Sequence, residues 1–122
     1  MASELRVNTL KDAAGNNSVG MEYVANGSAK AWAQGTGGGS LSDSTNIASE
    51  TDNGTGDYTY AFSANMANSL YSITTGVLWA SLAAWDSSET GTSSYNIRCF
   101  TRADSLTASD NPNSSVVNGD LA

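Results

Sequence analysis

The stretch 46–62, NIASETDNGTGDYTYAF, constrains the fold of this chain more than any other. From Asp57 onward, Tyr58, Tyr60 and Phe62 alternate with Thr59, Ala61 and Ser63. A period of two puts the three rings on one face of a β-strand, and a face that apolar has to be buried. The residues ahead of it supply a way to bring in a partner strand. Asn53-Gly54 is a favoured pair for the centre of a type I′ turn, where both residues take positive φ. The spacing therefore predicts a hairpin with a short, polar first arm over 47–51, a turn at Asn53-Gly54 and an aromatic second arm.

The rest of the chain reads as further short strands. Leu5 and Val7 alternate with Glu4, Arg6 and Asn8, the turn-forming DAAGNN follows over 12–17, and 18–24 is expected to return as a second strand. Over 29–34, Ala29, Ala31 and Ala33 share one face and Lys30, Trp32 and Gln34 the other. GTGGGS, at 35–40, is expected to be a flexible loop, because glycines are costly to order. The most apolar run, 70–80, places Tyr71, Ile73, Thr75, Val77 and Trp79 on one face. It is expected to be a central strand, with Gly76 a bulge or a point of close approach. Residues 81–94 read as a long loop opening with a helical turn, SLAAW. Over 95–101, Tyr95, Ile97 and Cys99 alternate with Asn96, Arg98 and Phe100. A polar loop holding Pro112 then leads to a last strand at Val116 and Val117.

Seven or eight short strands with turn signals about every ten residues is the pattern of an all-β fold, a small antiparallel sandwich of jelly-roll-like form. At 122 residues the chain fits one domain, residues 27–122. Residues 1–26 form an N-terminal segment, a β-hairpin or extended docking piece with too few large apolar residues to stand alone. The hydrophobic fraction is 39%, much of it alanine. A core that thin has difficulty offsetting chain entropy of roughly 1–2 kcal/mol per residue, so apolar area is expected to come from partner copies.

Composition excludes several functions. The net charge is −7, and the five basic residues Arg6, Lys11, Lys30, Arg98 and Arg102 are scattered, which argues against nucleic acid as a partner. With no histidine, the Ser/His/Asp and Cys/His arrangements are ruled out, and the lone Cys99 permits neither an intrachain disulfide nor a standard zinc site. The start MASELRVNTL has no basic n-region or apolar h-region, so synthesis without export is expected. No apolar run approaches the roughly 18 residues of a membrane helix, so no membrane insertion is expected. Asp52, Asp57, Asp86 and Glu89 lie near aromatic residues and could act as glycosidase carboxylates, but acids in turns are ordinarily turn formers. Asp52, Asn53 and Asp57 offer oxygen ligands to calcium, yet the hairpin explains each of them without an ion. The expectation is no enzyme, no cofactor and no metal. An indole beside a carboxylate can stack on a sugar and bind its hydroxyls, so Trp85 with Asp86 is the best candidate contact for a receptor. Trp32 and Trp79, in strands, are expected to serve packing.

Four stretches together resemble short tail-fibre-type structural proteins of tailed bacteriophages: ELRVNTLKDAAGNNSV, NGSAKAWAQ, TDNGTGDYTYAFSANM and the closing NGDLA. The likeness covers most of the chain in patches, and GSAKAW followed by TDNGTGDYT is its most specific part. After Trp32 such proteins commonly continue an apolar strand where this chain runs into GTGGGS. The resemblance implies a virion component, typically trimeric, anchored at one end and assembled in the bacterial cytoplasm. It brings no catalytic residues. On this reading Leu5, Arg6 and Val7 dock the chain to other tail or capsid proteins. Trp85, Asp86 and Tyr95 face a host glycan or surface protein. The alternative is a capsid or tail decoration protein that cements its neighbours and touches no host.

Overall fold

The computed structural model describes residues 2–78, 81–101 and 106–122. The aromatic alternation dictates the centre of the fold. Strand β6 (Asp57–Phe62) buries Tyr58, Tyr60 and Phe62, with Thr59 and Ala61 on the opposite side only partly covered. It pairs antiparallel with β5 (Ile47–Gly54) on one side and β9 (Ser94–Thr101) on the other. Beyond β9 lies β8 (Ser81–Asp86), and the two-residue β10 (Thr107–Ala108) pairs with the end of β9. A second antiparallel sheet runs in the order β4 (Leu41–Thr45), β3 (Ala31–Gly35), β11 (Asn113–Asn118), β7 (Ser72–Val77). The two sheets enclose one core, to which β3 contributes Ala31 and Ala33 and β11 contributes Val117. The fold is an all-β antiparallel sandwich.

The chain passes between sheets at Asn46, the one described non-glycine residue with positive φ (55°). Asparagine tolerates that conformation, and here its side chain also fixes the corner. Its Oδ1 accepts from the Ala64 amide at 2.7 Å, while Nδ2 donates to the carbonyls of Ala64 (3.1 Å) and Lys30 (3.2 Å). One side chain thereby ties together the starts of β3 and β5 and the end of β6.

The hairpin turn sits two residues later than its sequence suggests. Asp52 pairs with Tyr58 but Gly54 pairs with Asp57, so Asn53 is the extra residue of a bulge and Thr55-Gly56 form the turn. Gly56, at φ +67°, is chosen by crowding as well as by conformation. A Cβ there would overlap the Cys99 carbonyl oxygen and lie 2.8 Å from the Ser109 nitrogen. Its carbonyl accepts from the Cys99 amide (2.8 Å), and its own amide donates to Asp110 Oδ1 (2.7 Å). At this point β10 takes over from β6 as the neighbour of β9.

Several other expectations are corrected. The first strand of the N-terminal hairpin is β1 (Thr9–Lys11), so Leu5 and Val7 precede it. Its partner β2 (Ser18–Gly20) ends where helix α1 (Met21–Gly27) begins, because MEYVA lacks strand alternation. Asp12 organises the connecting turn: its carboxylate accepts from the Asn16 amide and from Asn17 Nδ2, and the Asn17 bond leads in holding its pKa below the ordinary value. Strand β7, expected to be central, is the edge strand of its sheet. Its Gly76 makes no bulge but approaches closely, since a Cβ would lie 2.9 Å from Ser114 Oγ. Trp79 lies outside the described residues. The expected loop over 81–94 begins with β8 and a 3-10 turn, Ser87–Glu89.

The GTGGGS stretch is ordered by its neighbours. Gly35 belongs to β3, and the Thr36 amide donates to the Ser40 carbonyl at 2.9 Å, closing a tight loop to β4. Gly37 (φ +77°) passes so close to the Asn111-Pro112 peptide that a Cβ would lie 2.6 Å from the Asn111 carbonyl carbon.

Gly56→Ala combines positive φ with a backbone clash, and the expected loss is about 2–4 kcal/mol. Gly15→Ala has positive φ (71°) but open space around it, and the expected loss is about 1–2 kcal/mol. Urea unfolding of the two variants measures the difference.

Candidate functional site

The exposed end of β8 carries the residues best suited to contact a ligand. Edge strand β8 is held by pairing with β9, which aligns Trp85 with Ile97, Asp86 with Asn96 and Ala84 with Arg98. Trp85 is 38% exposed, and its indole Nε1 donates to Thr90 Oγ1 at 2.5 Å. The Thr90 hydroxyl in turn donates to the Asp86 carbonyl (2.9 Å), so the segment 87–90 folds back to hold the ring. Asp86 caps the 3-10 turn: its Oδ1 accepts from the Ser88 amide (2.9 Å) and from Ser88 Oγ (2.6 Å). Those two bonds, with Arg98 adding to them, keep the Asp86 carboxyl below its ordinary pKa.

Arg98 organises the acids around it. Its guanidinium reaches Asp57 Oδ2 (3.1 Å), Asp86 Oδ2 (3.2 Å) and Glu89 Oε1 (3.4 Å), drawing together strands β6 and β8 and the 3-10 turn. Asn96, one pair further along β9 and fully buried, donates from Nδ2 to Asp57 Oδ1 at 2.7 Å. Asn53 Nδ2 reaches Thr59 Oγ1 (2.8 Å) and Asp57 Oδ1 (3.3 Å). Asp57 is thus part of an ionic cluster on the outer face of the sheet, more than the turn former its sequence suggests. Asp52 does act in the turn, accepting from the Gly54 amide at 2.9 Å. Among the described residues, no three His, Cys, Asp or Glu side chains are grouped as a metal-ligand set.

Tyr95 is corrected. It is fully buried, stacked on Tyr60 with ring centroids 5.2 Å apart, and its hydroxyl is paired with Ser115 Oγ at 2.6 Å. Periodicity had placed it on the face with Ile97 and Cys99, and that face is the core, so it offers no surface to a receptor. Of the three receptor-facing candidates Trp85 is exposed and Asp86 partly so, but the strand alternation turns them apart, Asp86 to the outer face with Arg98 and Trp85 to the other. At the other end of the chain, Leu5 is 81% exposed, Val7 is partly covered, and Arg6 pairs with Glu4 (3.0 Å) on the surface.

Compared with protein-family models, curated proteins and solved structures, the chain matches none of them. Its chemistry is therefore read from its own geometry. The Cys99 thiol is buried, and burial leads in pushing its pKa up to about 11, so it is held as an unreactive thiol. Burial likewise pushes the Tyr71 hydroxyl up to about 12. No helix among the described residues is long and apolar enough to cross a membrane.

The buried acid Glu50 was not foreseen, since its place in β5 reads as a polar strand position. It is 6% exposed and lies beneath the glycine loop, where a Cβ on Gly35 would overlap both its Oε2 and the Tyr60 hydroxyl. The amides of Gly39, Gly37 and Thr36 face its carboxylate, yet neither oxygen has a partner in good hydrogen-bond geometry. Desolvation outweighs those amides and raises its pKa above the ordinary 4.5. The folded state therefore binds this proton more tightly than the unfolded chain. Its contribution to stability is fully present below pH 4.5 and is lost as pH rises through the folded-state pKa. Glu50→Gln is expected to be more stable than the parent at pH 8, with the gap closing under acid conditions. Urea melts of both proteins across pH 4–8 check this, and a constant gap would contradict it.

Proposed function

We propose that this chain is a non-enzymatic virion structural protein of a tailed bacteriophage, a tail fibre or adhesin that displays its β-domain for attachment to the host surface. The observation that carries the reading is the contrast between the sandwich and the N-terminal arm. Helix α1 buries none of its residues, and every residue of β1 is exposed. Leu10, Val19, Tyr23 and Val24 all present apolar surface there. A seven-residue helix and a two-stranded hairpin are each marginal alone in water. Such an arm suits a segment completed by other copies or by a docking partner, as in a homotrimer anchored through residues 1–26.

The arm is joined to the sandwich by a few polar bonds. Lys30 Nζ caps the end of α1 through the carbonyls of Ala25 and Ser28, and Asn118 Nδ2 donates to the Gly27 carbonyl at 3.3 Å. The sandwich can then be held outward while the exposed Trp85 ring faces the receptor. A host glycan fits an exposed indole that can stack on a sugar face, and the acidic balance of the chain disfavours anionic partners.

The same exposed arm would serve a capsid or tail decoration protein, which would bury the Trp85 surface against neighbours in the particle. Light scattering coupled to size-exclusion chromatography is expected to find a trimer for the full chain. A stable monomer at micromolar concentration would overturn the trimeric anchor. Binding of the labelled protein to host cells, lost on Trp85→Ala with the trimer intact, is the outcome expected of an adhesin. Absence of binding would favour decoration.

A further inference from the structure

We infer that the glycine loop over 36–40 is a lid worked by the protonation state of Glu50: it lies shut over the neutral carboxyl and opens to water when the carboxyl ionises. Two features of the geometry meet here. Glu50 is 6% exposed, and neither of its carboxyl oxygens has a hydrogen-bond partner. An ionised carboxylate held in that state lacks both water and donors, which is costly. The second feature is the cover itself. The loop that hides Glu50 contributes no side chain to the hydrophobic core, and its inward-facing residues, Gly37 and Gly39, have positive φ that glycine adopts freely.

The bonds that shape the loop are mostly its own. The Thr36 amide donates to the Ser40 carbonyl, the two hydroxyls pair at 2.9 Å, and the Gly38 amide reaches Thr36 Oγ1 at 3.3 Å. The loop can therefore swing as a unit. It leaves β3 where the pairing with β4 slips between Gln34 and Gly35, an irregularity suited to a hinge. Its polar tie to the sandwich is the Tyr58 hydroxyl, which lies 3.0 Å from the Gly37 carbonyl and equally 3.0 Å from Asp110 Oδ1. A hydroxyl has one proton to donate, so Asp110 takes it when the loop withdraws, and opening leaves no donor stranded.

The groups around Glu50 favour the neutral acid. Tyr60 of β6 and Tyr95 and Cys99 of β9 face it, and burial leads in keeping all three uncharged. On its own strand Asp52 lies against Gly39, and Asp110 lies across the loop at Tyr58, so both nearby charges are negative. Strand β11 contributes the uncharged Asn113, taken up by the Tyr60 hydroxyl. Among the described residues no cation pairs with Glu50. The amides of Thr36, Gly37 and Gly39 face the carboxylate, but desolvation outweighs them while the loop is shut. Opening the loop restores water without uncovering the core, so it is an easier response to ionisation than unfolding the sandwich. The open carboxyl returns to its ordinary 4.5, and the opening equilibrium rises about tenfold per pH unit from there up to the pKa of the shut state. None of this depends on whether the protein binds a host.

Amide hydrogen exchange of the full chain, followed by NMR upwards from about pH 4.5, tests the lid. Base catalysis alone speeds exchange about tenfold per pH unit, and the lid multiplies that by its own pH dependence. The Gly37 and Gly39 amides are therefore expected to speed up by about a hundredfold per unit just above pH 4.5, while those of Tyr60 and Ile97 in the core strands keep the ordinary tenfold slope. In Glu50→Gln the two glycines should fall back to the tenfold slope as well. Circular dichroism shows whether that variant is folded; if it is not, the contrast between loop and core amides in the parent decides by itself. An ordinary slope at Gly37 and Gly39 in the parent would overturn the inference, as would an equally steep slope in the core strands or a steep slope that persists in folded Glu50→Gln.

Discussion

Tyrosine hydroxyls that cross from one sheet to the other set the terms for the rest of this structure. The rings of Tyr60 and Tyr95 fill the core from β6 and β9, and their hydroxyls end on Asn113 (2.7 Å) and Ser115 (2.6 Å) of β11 in the opposite sheet. Tyr58 ends on Asp110 Oδ1 and the Gly37 carbonyl, both at 3.0 Å. A buried hydroxyl left without a partner costs about 1–3 kcal/mol, so each ring that supplies apolar area also demands a polar group at a fixed place across the core. Strand β11 answers with Asn113, Ser115 and Val117 facing inward. Asn113 and Ser115 look like surface positions on composition alone, and each is only 2% exposed. A core with few large aliphatic side chains is held in register by these bonds as well as by area.

The same demand explains how the glycine loop became ordered. For Tyr58 to reach the Gly37 carbonyl, the loop lies flat against the Asn111-Pro112 peptide, where position 37 has no room for a Cβ. Glu50 is enclosed as a consequence. The loop that covers it brings amides to face it, at the price of removing its water. Flexibility inferred from glycine content alone fails in such a case, because the glycines are needed for close packing.

What could be read from the sequence follows from how local each cause is. Tyr58, Tyr60 and Phe62 were legible because alternation with a sharp contrast in side-chain size reports burial directly, and Ala31 and Ala33 were separable from Trp32 for the same reason. The turn was displaced because Gly54 and Gly56 both permit it locally, and the choice is made by Cys99 and Asp110, which are distant in sequence. Strand β8 was hidden, since SLAAW has the composition of a helix and is extended only by pairing with β9. Helix α1 was missed for the converse reason, in a segment with too weak a pattern to decide. At the surface site, Trp85 and Asp86 were visible as residue types. Arg98 and Asn96 became part of the site only through cross-strand register, which no spacing along the chain encodes.

The corner at Asn46 has a consequence for how such a molecule behaves when crowded. A sandwich usually has four outer strands whose unpaired backbone can recruit strands from neighbours. Here β4 leads directly through Asn46 into β5, so two of those strands are turned towards each other, and on the far side Thr75 Oγ1 of β7 donates to the Ala83 carbonyl of β8 at 3.0 Å. Each pair shields its own margins, which opposes uncontrolled strand addition. The β1–β2 hairpin has no such shield, so ordered backbone pairing between molecules is steered away from the sandwich and towards the arm.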